Sequence, residues 1–534
     1  MSPEDKPRWS LPYCSPLPED PRLAGRMRGL RIAAYVLVAV ALITPVVQIQ
    51  AITLRNMRRA ETFDRLKDQG KLSEKRLQRG RPKPHKGAIA RWSKAVRQMW
   101  EGVNIYKMPP APGEPPRELP PQAAEELDEA ERNPVGLHPN MPFVVVLLTP
   151  FAMLPVEYAA LVFSILKGLA IAAAVYWLAA AGNHKDKRMG DWVIGLALLW
   201  SLLLIVGDIQ HGNTNGFVLA FLAMHLFLYR RGHDWAAGVP LALAICIKMT
   251  PALFVLYWLY QRNWRLLGGT LISGLVMAIG IPAVALGPER FVELGSTWMQ
   301  NLIIPGLVEG AWYPIHINQS IPGVFSRYFL DGQNGDIFWN ADDDPYYLRH
   351  GGAAWITLVS LGEQTVRWLI KAAQLLTVGV MAWAIGWRKL PRDDGRRMMH
   401  YGLVVLGMML LNQRTWDHHA AVLLIANVGI WYALAYGRMG RRTRQVALFV
   451  MLAAGPMVWL MGTGTFHAIA KVTGHSRDTA DTWADYMKAY GPTFWHFVLL
   501  TTASVICLRS LRGKDDPYSD TRRPVFAKES TPQR

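Results

Sequence analysis

The chain has 534 residues, of which 51% are hydrophobic, with 21 tryptophans and a formal charge of +18. That hydrophobic content excludes a string of ordinary soluble domains, and the positive charge does not point to nucleic acid, because many of the basic residues sit in short loops between apolar blocks, where membrane topology accounts for them. The three cysteines, Cys14, Cys246 and Cys507, lie far apart and give neither a disulfide framework nor a CxxC metal site.

In chain order, a cytoplasmic segment is expected at 1–29 and a transmembrane domain at 30–511, followed by a polar cytoplasmic tail at 512–534. The charged RLAGRMRGLR ahead of the first apolar block resembles the start of a signal peptide. The block is longer than the roughly 7 to 15 apolar residues of such a peptide and no small-residue cleavage site follows, so it reads as an uncleaved anchor. Blocks such as AALVFSILKGLAIAAAVYWLAAAG run about 20 residues or more, enough to cross a hydrocarbon core of about 30 Å. Spans are expected near 30–52, 157–181, 190–207, 214–229, 264–287, 366–387, 398–411, 418–436, 444–462 and 492–510. The fold class is thus an all-α polytopic membrane protein with about 10–11 transmembrane helices.

The segment 235–261 departs from this pattern, because Lys248 and Pro251 break it into halves too short to span. Loops HKDKR (184–188), YRRGH (229–233), QRNWR (261–265), WRKLPRDDGRR (387–397) and GRMGRRTR (437–444) are all basic. They fall on one side only if 235–261 enters and leaves by the same face, as a broken helical hairpin. Both termini are then cytoplasmic. The long outer loops become 53–141, whose basic charge the rule tolerates in so long a loop, and 288–365.

The stretches left on the outer face are poor in lysine and arginine and rich in amides, histidines and carboxylates: 208–216 (DIQHGNTNG), 288–365, 412–419 (NQRTWDHH) and 463–491. Polar clusters on one face suggest a shared extracytoplasmic site. Its candidates are Asp208, Gln210, Asn213 and Asn215 in the first stretch and Asp417, His418 and His419 in the third. Lys248 at the broken-helix tip is a candidate phosphate contact, with a snorkelling lysine as the competing reading. Arg367 and Lys371, one turn apart, suit either a site or interfacial anchoring. PPAPGEPPRELPPQ (108–121) reads as an extended spacer, and MPFVVVLLTPFAMLP as a re-entrant or interfacial helix roofing the site.

The run from Gly212 to Gly269 resembles glycosyltransferase family 87, with a G-N-x-N step, a helix, an Ala-Gly turn and a Lys-x-x-Pro element. MWEGVNIY (99–106), HPNMPFVVVLLTPFAMLP (138–155), NQSIPGVFSR (318–327) and RTWDHHAAVLL (414–424) agree in order, so that the resemblance covers roughly 88–440. It implies a GT-C-type enzyme that moves a sugar, a hexose or pentose such as mannose, from a polyprenyl-phosphate carrier to a cell-envelope glycan or glycolipid acceptor on the outer face of the plasma membrane. The partners are then the lipid-linked donor, the acceptor and membrane lipid, with no metal or other cofactor. Asn318, Gln319, Ser320 and Arg327 match the family's loop and are expected to bind sugar hydroxyls and phosphate; Asn-Gln-Ser also suits a turn.

An inverting displacement needs a base for the acceptor hydroxyl and a clamp for the leaving phosphate. At the position that matches the family's first-loop Asp this chain has Ala88, and the stretch 74–100 holds no acid but Glu74. Asp64 or Asp68 takes that role if the intervening basic stretch is an insertion; a solvated helix of alternating charge is the other reading of them. Alternatively the base is Asp208, Asp417 or the His418/His419 pair. A transporter or flippase, or a silent carrier-binding relative, is the alternative class, since broken helices and intramembrane lysine serve those too.

Overall fold

A computed structural model describes residues 21–73, 88–107, 138–183, 189–308, 315–330, 356–460 and 462–512. Among these residues the secondary structure is helical, with no strand. The elements used below are α1 (Pro21–Asp68), α2 (Ala88–Trp100), α3 (Val156–Gly182), α4 (Asp191–His211), α5 (Asn215–Arg230), α6 (Asp234–Ile247), α7 (Leu253–Tyr260) and α8 (Trp264–Leu286, with a π-turn at Val276–Gly280). They continue with α9 (Pro288–Trp298), α10 (Ile321–Phe329), α11 (Glu363–Ile385), α12 (Arg396–Leu411), α13 (Leu424–Tyr436), α14 (Arg441–Trp459), α15 (Thr463–Thr473), α16 (Arg477–Ala489) and α17 (Pro492–Ser510).

Seven helical stretches among the described residues are long and apolar enough to cross a membrane, and α14 with α15 makes an eighth if that bent pair is one span. The protein is a multi-pass membrane protein. Its polarity is inverted: Leu271, Val284, Leu375 and Phe449 stand on the outside more than 60% exposed, as lipid-facing side chains do, while Lys167, Asp208 and Arg397 are fully buried. The count falls below the ten or eleven expected. Helices α5 and α12 have 16 residues each, about 24 Å at 1.5 Å per residue, short of a core of about 30 Å.

The centre of the bundle is the stretch Asp417–Tyr436, whose apolar window is entirely buried. It is packed by α4, α12 and α17. Its register against α4 is fixed by an Asn427 amide that donates to Ser201 Oγ at 2.8 Å, since a polar pair inside an apolar bundle is satisfied in one alignment only.

The broken hairpin is present. Helix α6 ends at Ile247, Lys248 is extended (φ −153°, ψ 121°), and the chain re-enters through a short 3-10 turn at Thr250–Ala252 into α7. Both arms lie against α5, where His225 Nδ1 donates to Ala237 O of α6 (2.7 Å) and His225 Nε2 accepts from Trp258 of α7 (2.8 Å). The two feet of the hairpin return to one place: Asp234 pairs with Arg392 at 2.9 Å and Gln261 accepts from Arg397 at 2.8 Å. The loop 387–397 that supplies both arginines also receives Arg230, which donates to the carbonyls of Asp394, Asp393 and Asn183. The basic loops on either side of α6–α7 therefore gather at one end of the bundle, as their charge pattern predicts.

Three expected loops hold structure. Helix α1 continues past residue 52 to Asp68 without a break, carried by the helix-forming, charge-alternating RNMRRAETFDRLKD. The stretch 288–365 contains α9 and α10, and 463–491 folds as the pair α15–α16 on its own small core of Phe466, Ala470, Ala480 and Ala484. The proline-rich 108–121, the first 20 residues and the tail from 513 lie outside the described residues.

Candidate functional site

DIQHGNTNG is the joint between α4 and α5, at the end of the bundle opposite the basic loops. Helix α4 closes at His211, and Gly212 takes the left-handed φ of +65° that turns the chain back. One turn before that closure, Asp208 is fully buried. Its Oδ1 accepts from the Asn215 amide at 2.8 Å, and its Oδ2 accepts from Gly216 N at 3.0 Å and lies 3.3 Å from Lys167 Nζ. Lys167, equally buried on α3, also donates to the Asp208 carbonyl at 2.8 Å. Glycine is required at 216 because a Cβ there would stand 2.7 Å from Lys167 Cγ. The other end of the Asn215 amide faces the hairpin tip, where its Oδ1 accepts from Lys248 Nζ at 2.7 Å.

A second layer covers this one. Asn213 Nδ2 stands 2.7 Å from His418 Nε2, and the His418 ring lies against that of His211, with centroids 4.7 Å apart. The turn that carries His418 is a 3-10 helix, Asp417–Leu423. In this tight turn the rings of His418 and His419 touch edge to face at 4.7 Å, and His419 stacks parallel on Trp416. Asp417 is half-buried, with Oδ1 accepting from Thr493 at 2.6 Å. Asp417 and Lys488 lie within electrostatic reach of the exposed His211, and Lys248, Lys167 and Arg91 within reach of His418. Cations thus outnumber carboxylates around the two imidazoles.

The structure brings together Asp208, Asn213, Asn215, Lys248, Asp417, His418 and His419. Gln210 is exposed one residue before His211, and Asp64 is half-buried near the end of α1. Asn318, Gln319, Ser320 and Arg327 are fully buried and bond largely to the backbone. Asn318 Oδ1 accepts from Thr415 N at 2.9 Å and its amide donates to Gln413 O at 2.8 Å, while Gln319 donates to the carbonyls of His316 and Lys488. Ser320 caps α10 through Gly323 N, and Arg327 donates to Ile315 O, Asn318 O and Ala489 O. This loop fastens the strand of chain before Asp417 to the end of α16. Arg367 pairs with Glu363, and Lys371 sits over the Trp368 ring.

Lys167 was not among the sequence candidates, although a lone lysine inside a 27-residue apolar helix was the available signal. Lys488 and Arg91 had none, since only the fold brings them to the site. Among the described residues no group of three or more His, Cys, Asp or Glu is placed to hold a metal ion.

The segment HPNMPFVVVLLTPFAMLP rests on MWEGVNIY. Asn104 donates to Glu293 Oε1 of α9 at 3.0 Å, and Tyr106 OH donates to Asn140 O at 2.8 Å. Burial raises the Glu293 carboxyl, but hydrogen bonds from Asn104 and Arg290 outweigh it and hold the group below its usual range. His138, at the start of that segment, is pushed down to about 3 by burial and by the charge of Arg91.

The sequence model of glycosyltransferase family 87 matches residues 140–412. The chain is 25% identical over 389 residues to a polyprenol-phosphate-mannose-dependent alpha-(1-2)-phosphatidylinositol mannoside mannosyltransferase of Mycobacterium tuberculosis, covering 70% of this chain and 78% of that protein. An enzyme of the same description from Mycolicibacterium smegmatis is 22% identical, with 52% of each chain covered. A dolichyl pyrophosphate Glc1Man9GlcNAc2 alpha-1,3-glucosyltransferase of Arabidopsis thaliana is 24% identical, with 31% of this chain and 29% of that protein covered. No solved structure matches.

Proposed function

We propose, on the premise that this chain belongs to glycosyltransferase family 87, that it transfers mannose from a polyprenyl-phosphate carrier to a glycan or glycolipid of the cell envelope. The reaction takes place on the outer face of the plasma membrane, with inversion at the anomeric carbon and no metal. The sugar and its carrier follow those that name the mycobacterial relatives. The observation that carries the reading is the cluster of cations, amides and imidazoles at the end of the bundle opposite the basic loops. By the positive-inside bias those loops face the cytoplasm, together with both termini. Nucleotide sugars are made in the cytoplasm, so a site at the other end takes a lipid-borne donor.

The chemistry is one displacement. Lys248 and His418 take the donor phosphate, with Arg91 at the rim. The acceptor hydroxyl attacks the anomeric carbon as the bond from that carbon to the phosphate oxygen breaks. Its proton passes to a carboxylate, and polyprenyl phosphate departs with the electron pair, stabilised by the cations. The leaving group is already a good one, so the demand falls on one base and the clamp. Of the two carboxylates, Asp208 has both oxygens committed inside the protein, whereas Asp417 has one oxygen held by Thr493 beside the exposed His211. Asp417 is the proposed base and Asp208 a positioning residue. Asn318, Gln319, Ser320 and Arg327 act by holding Asp417 and its turn in place.

The test is transfer from a panel of radiolabelled polyprenyl-phosphate sugars in proteoliposomes, with wild type beside Asp64→Asn, Asp208→Asn, Asp417→Asn and His418→Ala. Turnover with the mannosyl donor, lost in Asp417→Asn and kept in Asp64→Asn, is expected. No turnover with any donor, alongside retained binding or flipping of the lipid, overturns the reading in favour of a carrier-binding or flipping protein.

A further inference from the structure

The network beneath the site holds two ammonium groups and one carboxylate, and the carboxylate is given to only one of them. Asp208 Oδ2 faces Lys167 at 3.3 Å, with both side chains fully buried. Its Oδ1 faces the amide N–H of Asn215, and that hydrogen bond orients the amide so that its carbonyl, not a carboxylate, meets Lys248. Among the described residues no carboxylate lies at ion-pair distance from Lys248. Two positively charged groups in a desolvated region with one shared counter-ion would each bid for it. Here Lys167 reaches it first, through the space that Gly216 leaves open.

We infer that Lys167 is a positioning residue for the phosphate of the lipid donor. It neutralises Asp208, Asp208 orients Asn215, and Asn215 presents Lys248 to the site with its charge uncompensated. The inference rests on the donor reading above and deepens it, because it assigns the electrostatic selectivity of the clamp to a buried lysine three elements away from the reacting atoms. The carbonyl of Asn215 fixes where the ammonium sits without cancelling its field, so a phosphate arriving at the hairpin tip meets a cation with no carboxylate at ion-pair distance among the described residues. Without Lys167, Asp208 turns its uncancelled charge on Lys248, and the phosphate competes against a carboxylate.

The experiment uses full-length protein in nanodiscs and two probes of equal chain length, a polyprenyl monophosphate and the uncharged polyprenol. Lys167→Met is expected to weaken binding of the phosphate by about tenfold or more, the usual scale of a lost charge-assisted contact, and to leave polyprenol binding unchanged. In the transfer assay the donor KM rises while kcat changes less. The double variant Lys167→Met/Asp208→Asn, which removes the competing carboxylate as well, is expected to recover most of the lost phosphate affinity. Wild-type affinity in Lys167→Met, parallel loss of both lipids, or a double variant no better than the single each overturns the inference. Should Lys167→Met fail to fold, Asn215→Asp places a carboxylate directly against Lys248, and unchanged phosphate binding there overturns it equally. A wild-type protein that binds polyprenol and the phosphate alike, or neither, breaks the donor reading itself, an outcome distinct from wild-type selectivity that survives in the variants.

Discussion

At the basic end of the bundle four guanidinium groups are closed on the protein: Arg230 on three loop carbonyls, Arg392 on Asp234, Arg396 on Asp394, and Arg397 on Tyr257, Gln261 and the Leu390 carbonyl. At the opposite end Lys248 meets a neutral amide, and the one carboxylate deep in the site is taken by Lys167. Cationic side chains therefore do opposite work at the two ends. Those that grip carboxylates and loop carbonyls tie the loops together, whereas Lys248, held by an amide carbonyl beside the site, keeps a field for an anion to feel.

The largest effect expected from this contrast is on turnover. Asp417→Asn keeps the hydrogen-bonding shape at Thr493 and removes only the proton acceptor, so kcat should fall by about 100- to 10,000-fold, the range of a general base, with an unchanged melting temperature. Radiolabel transfer and thermal unfolding on the same preparation check both halves. A variant that melts early while turning over normally per folded molecule would move Asp417 to the structural side of the contrast.

Next is the basic end. Arg397→Met leaves the Tyr257 hydroxyl, the Gln261 carbonyl and the Leu390 carbonyl short of a buried donor and removes a cation from over the Tyr229 and Trp258 rings. A loss on the order of 3 kcal/mol follows from buried groups left unpaired. Donor KM per folded molecule should stay within about twofold, under 0.5 kcal/mol on the affinity scale. A shifted KM with full stability would show that the two ends are not separable.

Much of this division was legible in the sequence. The basic loops fixed the fold of 235–261, because only a hairpin broken at Lys248 and Pro251 returns Asp234 and Gln261 to the same end, and the same bias set DIQHGNTNG, Lys248 and DHH together opposite them. What sequence could not give is which polar side chain is already spent. Asp208 and Asp417 look alike in a string of letters; they differ because Lys167 reaches one across 41 positions and Thr493 leaves part of the other open. Asn-Gln-Ser and Arg327 read as ligand-binding for the same reason, since their acceptors are carbonyls of Gln413, Lys488 and Ala489, far along the chain. Helix α1 runs on past residue 52 because the alternating charge around Asp64 and Asp68 is that of a solvated helix, which is the second reading of those residues.

The smallest expected effect separates the ends by pH. His138 opens the segment that rests on MWEGVNIY, its backbone N–H donating to Ile105 O at 2.9 Å, and burial of the ring with Arg91 nearby lowers it to about 3. An unfolded histidine titrates near 6.5. Above that pH both states hold the ring neutral and its contribution to stability is complete. As pH falls through 6.5 the unfolded chain takes up a proton that the folded one refuses, and stability drains away down to about pH 3, by at most about 1.4 kcal/mol per pH unit for one group. The arginines of the basic end stay charged across this whole range. Melting temperatures at pH 7.5 and pH 5 should therefore differ less in His138→Phe, which keeps a ring in the same space, than in wild type. Equal slopes in the two proteins would mean that the folded 138–155 segment accepts the proton, and that it meets a buried charge as readily as the basic end does.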